Sequence, residues 1–327
     1  MLCTRDNVGK LGLDEIVDAS SAIYARHDAK RSLWDIWSHA MHHAAAVAEE
    51  IRKIDLAPGA IAKLRQEIAD LTLWFFTMLG KLRGQLGLPN ESQSPQDWLV
   101  RISVGASELM WNRYPGVCPG CYCAMHADAD AQIKKEDLWQ PCSCDWLAIS
   151  AKEKKKTEIR ARAKRTRRLA RAGLTERPRS LDEWQMRVAS LYDDRLRKLS
   201  KTEVMLHLLE EMGEVSDSLI RMYSYSEKDR DHLDEEIIAR QIRLEDELAD
   251  VLSWLFSLVN HSSERREEKW FISTVLWDRY GSDTTQSFWC GTCNQAPCAC
   301  TILLLQSEDQ IREIRNKLAG ARRVDLK

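Results

Sequence analysis

Two pairs of acidic residues stand three apart in this chain, Glu211 with Glu214 and Glu247 with Asp250. They lie in LLEEMGEVSDSLI and LEDELADVLSWLF, stretches whose apolar residues recur at helical spacing. Positions three apart share one face of an α-helix, so each pair projects its carboxylates together. If the two helices pack antiparallel, four carboxylates meet, and a cation is what makes such a meeting tolerable. Oxygen-only ligands suit a hard ion, Mg2+ or Mn2+, and such ions commonly accompany phosphates. The chemistry expected is metal-assisted work on a phosphate compound. The rival reading is a solvent-facing helix whose acids pair with Lys or Arg, the usual state of a single E-x-x-E motif.

A second kind of ligand is cysteine. Eight of the ten cysteines fall in close pairs: Cys118/Cys121, Cys142/Cys144, Cys290/Cys293 and Cys298/Cys300. Each C-x2-C followed by C-x-C offers four thiolates, enough for a closed tetrahedral Zn2+ site, so about two structural Zn2+ per chain are expected. A redox switch and a nucleic-acid-binding ribbon are the functional rivals. A knuckle this small buries little apolar area, so the metal would supply its stability.

These residues need long helices to position them, and the composition provides for that. The 327 residues are 44% hydrophobic and 30% charged, with only 14 Gly and 8 Pro, which favours helices over turn-rich β structure. No alternating stretch of any length appears, so strands are expected only in the knuckles. The formal net charge of −2 gives no overall bias toward nucleic acid or membrane. The N-terminus lacks a signal-like apolar run, and the stretch LTLWFFTMLG is too short to span a bilayer. A cytoplasmic protein without membrane contact is expected.

The chain reads as written twice. LRQEIADLTLWFFTMLG (64–80) aligns with LEDELADVLSWLFSLVN (244–260), and the region of Tyr24 and His39 aligns with that of Tyr192 and His207. LMWNRYPGVCPGC matches VLWDRYGSD and the FWCGTC beyond it, and each half closes with PC-x-C. Blocks in the same order indicate a duplication. The expected division is a first copy over 1–148, a basic helical linker over 149–179 and a second copy over 180–327. Ser180 or Asp182 is expected to cap the helix carrying Trp184, and the next helix to begin near Lys201. Lys152–Arg171 is strongly basic; it is read as a solvated linker helix, with nucleic-acid or phosphate binding possible but not favoured. The tryptophans, including Trp34, Trp37, Trp74, Trp254 and Trp277, are expected mainly in the core.

The second half, with EEMGE (210–214), ELAD (247–250) and the apolar run on to Asn260, resembles the MazG-like all-α nucleoside triphosphate pyrophosphohydrolases. WDRY followed by CGTC and PCAC is similar to the cysteine-bearing tail of some members. The resemblance implies that carboxylates hold Mg2+ on the phosphates of an NTP or dNTP. Water then attacks the α-phosphorus to give the monophosphate and pyrophosphate. It implies Glu211, Glu214, Glu247 and Asp250 as metal ligands, with Glu210 an auxiliary ligand or the group orienting the water. Asn260 would stand near the nucleotide and Arg279 would reach a phosphate. It also implies a duplicated helical bundle in which one chain forms an intramolecular pseudo-dimer, with self-association possible. The chain departs from the family spacing between Glu214 and Glu247, where YSYSEKDRDHLDEE is inserted.

In the first half, His42, His43 and Ala46 replace Glu210, Glu211 and Glu214, while Glu67 and Asp70 keep the E-x-x-D. A decayed copy retained for structure is the favoured reading. The alternative is a transition-metal site drawn from His39, His43, Glu67 and Asp70. For the whole chain, the rival to a Mg2+-dependent hydrolase is a zinc-bearing nucleic-acid or protein-binding scaffold, or a nucleotide sensor without turnover.

Overall fold

The computed structural model describes residues 4–54, 56, 59–84, 102, 104–114, 177–196, 198–224, 233–263 and 269–300. Eight α-helices carry this part of the chain. They are α1 (Leu13–Asp28), α2 (Leu33–Lys53), α3 (Ala60–Leu82), α4 (Ala106–Arg113), α5 (Leu181–Leu196), α6 (Lys201–Ser224), α7 (Leu233–Ser263) and α8 (Ile272–Tyr280). Among the described residues the only sheet is a strand pair, β1 (Gly281–Ser282) and β2 (Ser287–Phe288), in the second cysteine segment. The fold is all-α, as composition and periodicity predict. Among the described residues no helix is long and apolar enough to cross a membrane. The first set of paired cysteines (Cys118, Cys121, Cys142, Cys144) and the basic stretch 152–171 lie outside the described residues.

Helix starts follow local cap chemistry. Ser32 caps α2: its Oγ accepts from the Asp35 amide at 3.1 Å, and its own amide donates to Asp35 Oδ2 at 2.9 Å. Ser200 and Glu203 repeat this reciprocal pair at the start of α6, at 2.7 and 3.2 Å. Of the two candidate caps for α5, Ser180 takes the role by accepting from the Glu183 amide at 3.2 Å. Asp182 instead accepts from Ser273 Oγ at 2.6 Å and so ties α5 to α8. Gly59 opens α3 with φ of 84°, a left-handed backbone that costs a glycine little.

The helices pack in two hairpins, α2 with α3 and α6 with α7, which meet through α2 and α6. Trp37 Nε1 donates to Ser216 Oγ at 2.7 Å across that meeting. The short helices then cross over: α4 of the first half lies on α7, and α8 of the second half lies on α3. One continuous apolar core results, including Leu64, Phe75, Phe76, Trp184, Leu208 and Phe256. Leu248, Val251, Leu252, Leu255 and Leu258 are all buried, so α7 is apolar around most of its circumference. Such a helix belongs inside a bundle. Burying a side chain such as Phe256 contributes ~1.5–3 kcal/mol. The inserted segment is absorbed in part by helix: α7 starts eleven residues before Leu244, whereas α3 starts four before Leu64.

Candidate metal centre

Glu211 comes from α6, and Glu247 and Asp250 come from successive turns of α7. Their carboxylate oxygens lie within 4.8 Å of one another. An octahedron with ~2.1 Å bonds spaces its ligand atoms by about 3.0 to 4.2 Å, so a trio within 4.8 Å is near the spacing a hard divalent ion needs. Electrostatics point the same way. Burial, reinforced by Asp250, Glu214 and Glu247, pushes the Glu211 carboxyl up to about 8. Burial, with Glu214 and Asp250 close by, raises Glu247 as well. Acids held this high at neutral pH lack enough positive charge around them, and a cation would supply it.

The other two acids of EEMGE stand differently. Glu214 sits at the rim, its side chain 45% exposed, with Arg243 Nη2 at 3.9 Å. Arg243 also reaches Glu247 at 3.3 Å, so it partly neutralises the open side of the cluster. Glu210 is outside the cluster. Its side chain is 63% exposed and pairs with His207 Nδ1 at 3.2 Å, because neighbours on a helix point about 100° apart. Its placement does not fit the auxiliary role expected for it.

Asp250 is gripped from the other half of the chain. Arg113, at the end of α4, donates from Nε to Oδ1 at 2.8 Å and from Nη2 to Oδ2 at 2.5 Å. Tyr114 Oη adds a bond to Oδ1 at 2.6 Å. This two-pronged guanidinium contact plus a phenol fixes the carboxylate's plane.

The first half carries the same device in reverse. Arg279, at the end of α8, donates to Asp70 Oδ1 at 3.0 Å and Oδ2 at 3.3 Å, and the Tyr280 hydroxyl also donates to Asp70. Arg279 therefore serves the opposite half and stands away from the carboxylates of its own. This corrects its expected place at the intact acidic set, where Arg113 stands instead. Asp70 is joined by Glu67 and His43, with ligand atoms again within 4.8 Å of one another. His43 Nδ1 is 2.9 Å from Glu67 Oε2. His39 is not part of this group, because its ring stacks on Trp74 at 4.2 Å.

Asn260 also lies elsewhere. It accepts from Gln185 Nε2 at 2.9 Å and donates to the Gln185 carbonyl at 3.2 Å, sealing α5 against α7. Ten residues past Asp250, it sits about 15 Å further along the helix. Closer to the cluster is Trp254, one turn beyond Asp250, whose ring stacks with His207 at 4.5 Å and Tyr192 at 6.5 Å. Tyr24, Trp74 and His39 form the matching stack in the first half.

Cys290, Cys293, Cys298 and Cys300 converge as free thiols, all within 4.8 Å of one another. The Cys290–Cys300 and Cys293–Cys298 separations are 3.9 and 3.7 Å. A tetrahedron of ~2.3 Å zinc–sulfur bonds has edges of about 3.8 Å, so the spacing fits Zn2+. The amides of Thr292, Ala299 and Cys300 point at three of the sulfurs at 3.4 Å, which favours thiolates. The cluster docks on the first half, where the Cys298 amide donates to the Ile23 carbonyl at 2.6 Å. Beside it, burial and the Cys290 thiol hold the Tyr24 hydroxyl well above its ordinary pKa.

Arg113, Tyr114 and Arg243 escaped the sequence reading. WNRY was visible as the counterpart of WDRY, but nothing local said that each would cross to the opposite half. Arg243 had a plainer signal, one helical turn before Glu247. Comparison with family models, with curated proteins and with solved structures returns no match.

Proposed function

We propose that this chain is a Mg2+-dependent nucleotide pyrophosphohydrolase built from a duplicated MazG-like helical unit. In this reading the halves form an intramolecular pseudo-dimer, a zinc knuckle follows each copy, and the chemistry belongs to the second. The substrate would be an NTP or dNTP, hydrolysed at the α-phosphate to monophosphate and pyrophosphate for sanitation or control of a nucleotide pool. The observation that carries this reading is the convergence of Glu211, Glu247 and Asp250, with two of the carboxyls raised by burial and then by mutual repulsion.

Glu211, Glu247 and Asp250 would hold the ion, with Glu214 within reach at the rim. When bound, Mg2+ would offset the triphosphate's charge, acidify an attacking water and stabilise the leaving pyrophosphate. Arg113 and Tyr114 keep Asp250 in one orientation, so little is lost in ordering it when a ligand arrives. Glu211 gives up its proton as the site loads, so affinity should rise with pH. The half-buried Trp254 and His207 pair, stacked at 4.5 Å one turn beyond Asp250, provides aromatic surface suited to a nucleobase.

The test is release of pyrophosphate and monophosphate from a panel of NTPs and dNTPs with Mg2+, comparing the native chain with Glu247→Gln. Release that falls by at least ~10²–10³-fold in the variant supports the reading. No release from any nucleotide by well-folded protein would move the assignment to a zinc-bearing binding scaffold or nucleotide sensor.

A further inference from the structure

The first-half trio keeps the arrangement of the second-half one. Of the two histidines that replace acids there, His42 is exposed, while His43 is the one aimed at Glu67 and Asp70. Position for position, His43, Glu67 and Asp70 match Glu211, Glu247 and Asp250, so one carboxylate ligand has been exchanged for an imidazole. His43 Nδ1 and Glu67 Oε2 share a hydrogen bond of 2.9 Å, so the two donors already stand at the ~3.0 Å spacing of adjacent ligands on an octahedral ion with ~2.1 Å bonds, and an ion would take the place of the shared proton. The grip on Asp70 by Arg279 and Tyr280 is also present, and such outer partners orient a metal-binding carboxylate. The side chains of His43 and Glu67 are 17% and 13% exposed, so an ion has a way in.

We propose that His43, Glu67 and Asp70 form a second divalent-cation site, suited to a borderline transition ion such as Mn2+ or Zn2+ rather than to Mg2+. An imidazole is a softer donor than the carboxylate it replaces, and Ala46 removes the rim acid that Glu214 supplies in the second half. Three protein ligands leave coordination positions open for water or a phosphate oxygen. This site is independent of nucleotide hydrolysis in the second half and would survive the failure of that reading.

The experiment uses the full chain carrying no more Zn2+ than its cysteine sites hold, checked by metal analysis after passage over a weak chelator, with the second-half acids silenced by Glu211→Gln with Glu247→Gln. Mn2+ binding is then counted by electron paramagnetic resonance. One Mn2+ per chain is expected, with affinity falling more than ~100-fold on adding His43→Ala and ~10–100-fold on adding Tyr280→Phe. Adding His43→Glu should keep the site but shift its preference toward Mg2+. No Mn2+ in the silenced background, with the helical circular dichroism intact, overturns the proposal, as does binding indifferent to His43→Ala. Should the silenced chain not fold, spin-echo spectra of Mn2+ on the native chain decide. Imidazole nitrogen coupling that disappears in His43→Gln supports the site, and its absence in the native chain overturns it.

Discussion

Two clusters at matching places in this molecule share a frame and differ in their ligands. In both, two consecutive helices bring three side chains of metal-ligating type within 4.8 Å of one another. In both, an Arg-Tyr pair from the opposite half grips the central aspartate. The second half has Glu211 where the first has His43, and Glu214 where the first has Ala46. The frame thus holds while the inner ligands change, which separates two jobs. The crossing arginine and tyrosine orient an aspartate whatever its neighbours are. On the proposed reading, the residue on the facing helix sets how much negative charge remains to attract a hard ion.

The largest expected effect comes from making the second half resemble the first. Glu211→His should lower Mg2+-dependent pyrophosphate release by at least ~10²–10³-fold while leaving the helical fold intact. If turnover with Mg2+ survives that exchange, the facing-helix residue does not set the ion and the comparison fails. Next comes the crossed grip. Arg113→Lys keeps a charge but loses the planar fork, and should reduce turnover ~10–100-fold. Arg279→Lys should leave turnover near native, although Arg279 lies closer in sequence to the second-half acids. Steady-state kinetics of the two variants side by side reads this directly. Equal losses would mean that the crossing is not what matters.

A smaller effect concerns pH. Glu211 has a folded-state carboxyl at about 8 against an ordinary value of 4.5. A group raised in this way contributes stability that is fully present below its unfolded pKa and is lost as pH rises through the folded one. Metal-free protein should therefore lose thermal stability between about pH 5 and 8 more steeply than Glu211→Gln does, and Mg2+ should recover the difference at the alkaline end. Parallel melting curves for the two proteins would remove the electrostatic strain from the account. The smallest effect belongs to the second knuckle. On the zinc reading, treatment with a chelator should lower Tm by a few degrees and disturb the first-half stack of Tyr24 and Trp74. Second-half turnover should be nearly unchanged, because that knuckle docks on α1.

Much of the frame was legible in the residues themselves. The Ser180 cap of α5, the start of α6 near Lys201, the apolar period of α7 and the three-residue spacing of Glu247 and Asp250 are local properties, and helices express them directly. The convergence of Glu211 with that pair followed from both motifs lying on adjacent amphipathic helices. Asn260, Glu210 and Arg279 were less legible for the opposite reason. Asn260 shares α7 with the site, but its partner Gln185 is 75 residues away. Glu210 adjoins Glu211 in sequence and turns away from it in space. Arg279 lies in a motif whose destination is 209 residues back along the chain.

The sequence alone settled which faces of which helices carry carboxylates, where α6 starts, and that four second-half cysteines fall within reach of one ion. Each of these depends on contacts a few residues apart, which helical rise and rotation dictate. Only the tertiary structure decided that Arg113 serves Asp250 and Arg279 serves Asp70. The entropy of closing a connection grows only slowly with its length, so chain distance barely penalises a crossed arrangement over an uncrossed one. The choice fell to packing, with the apolar faces of α4 and α8 buried against α7 and α3 of the opposite halves.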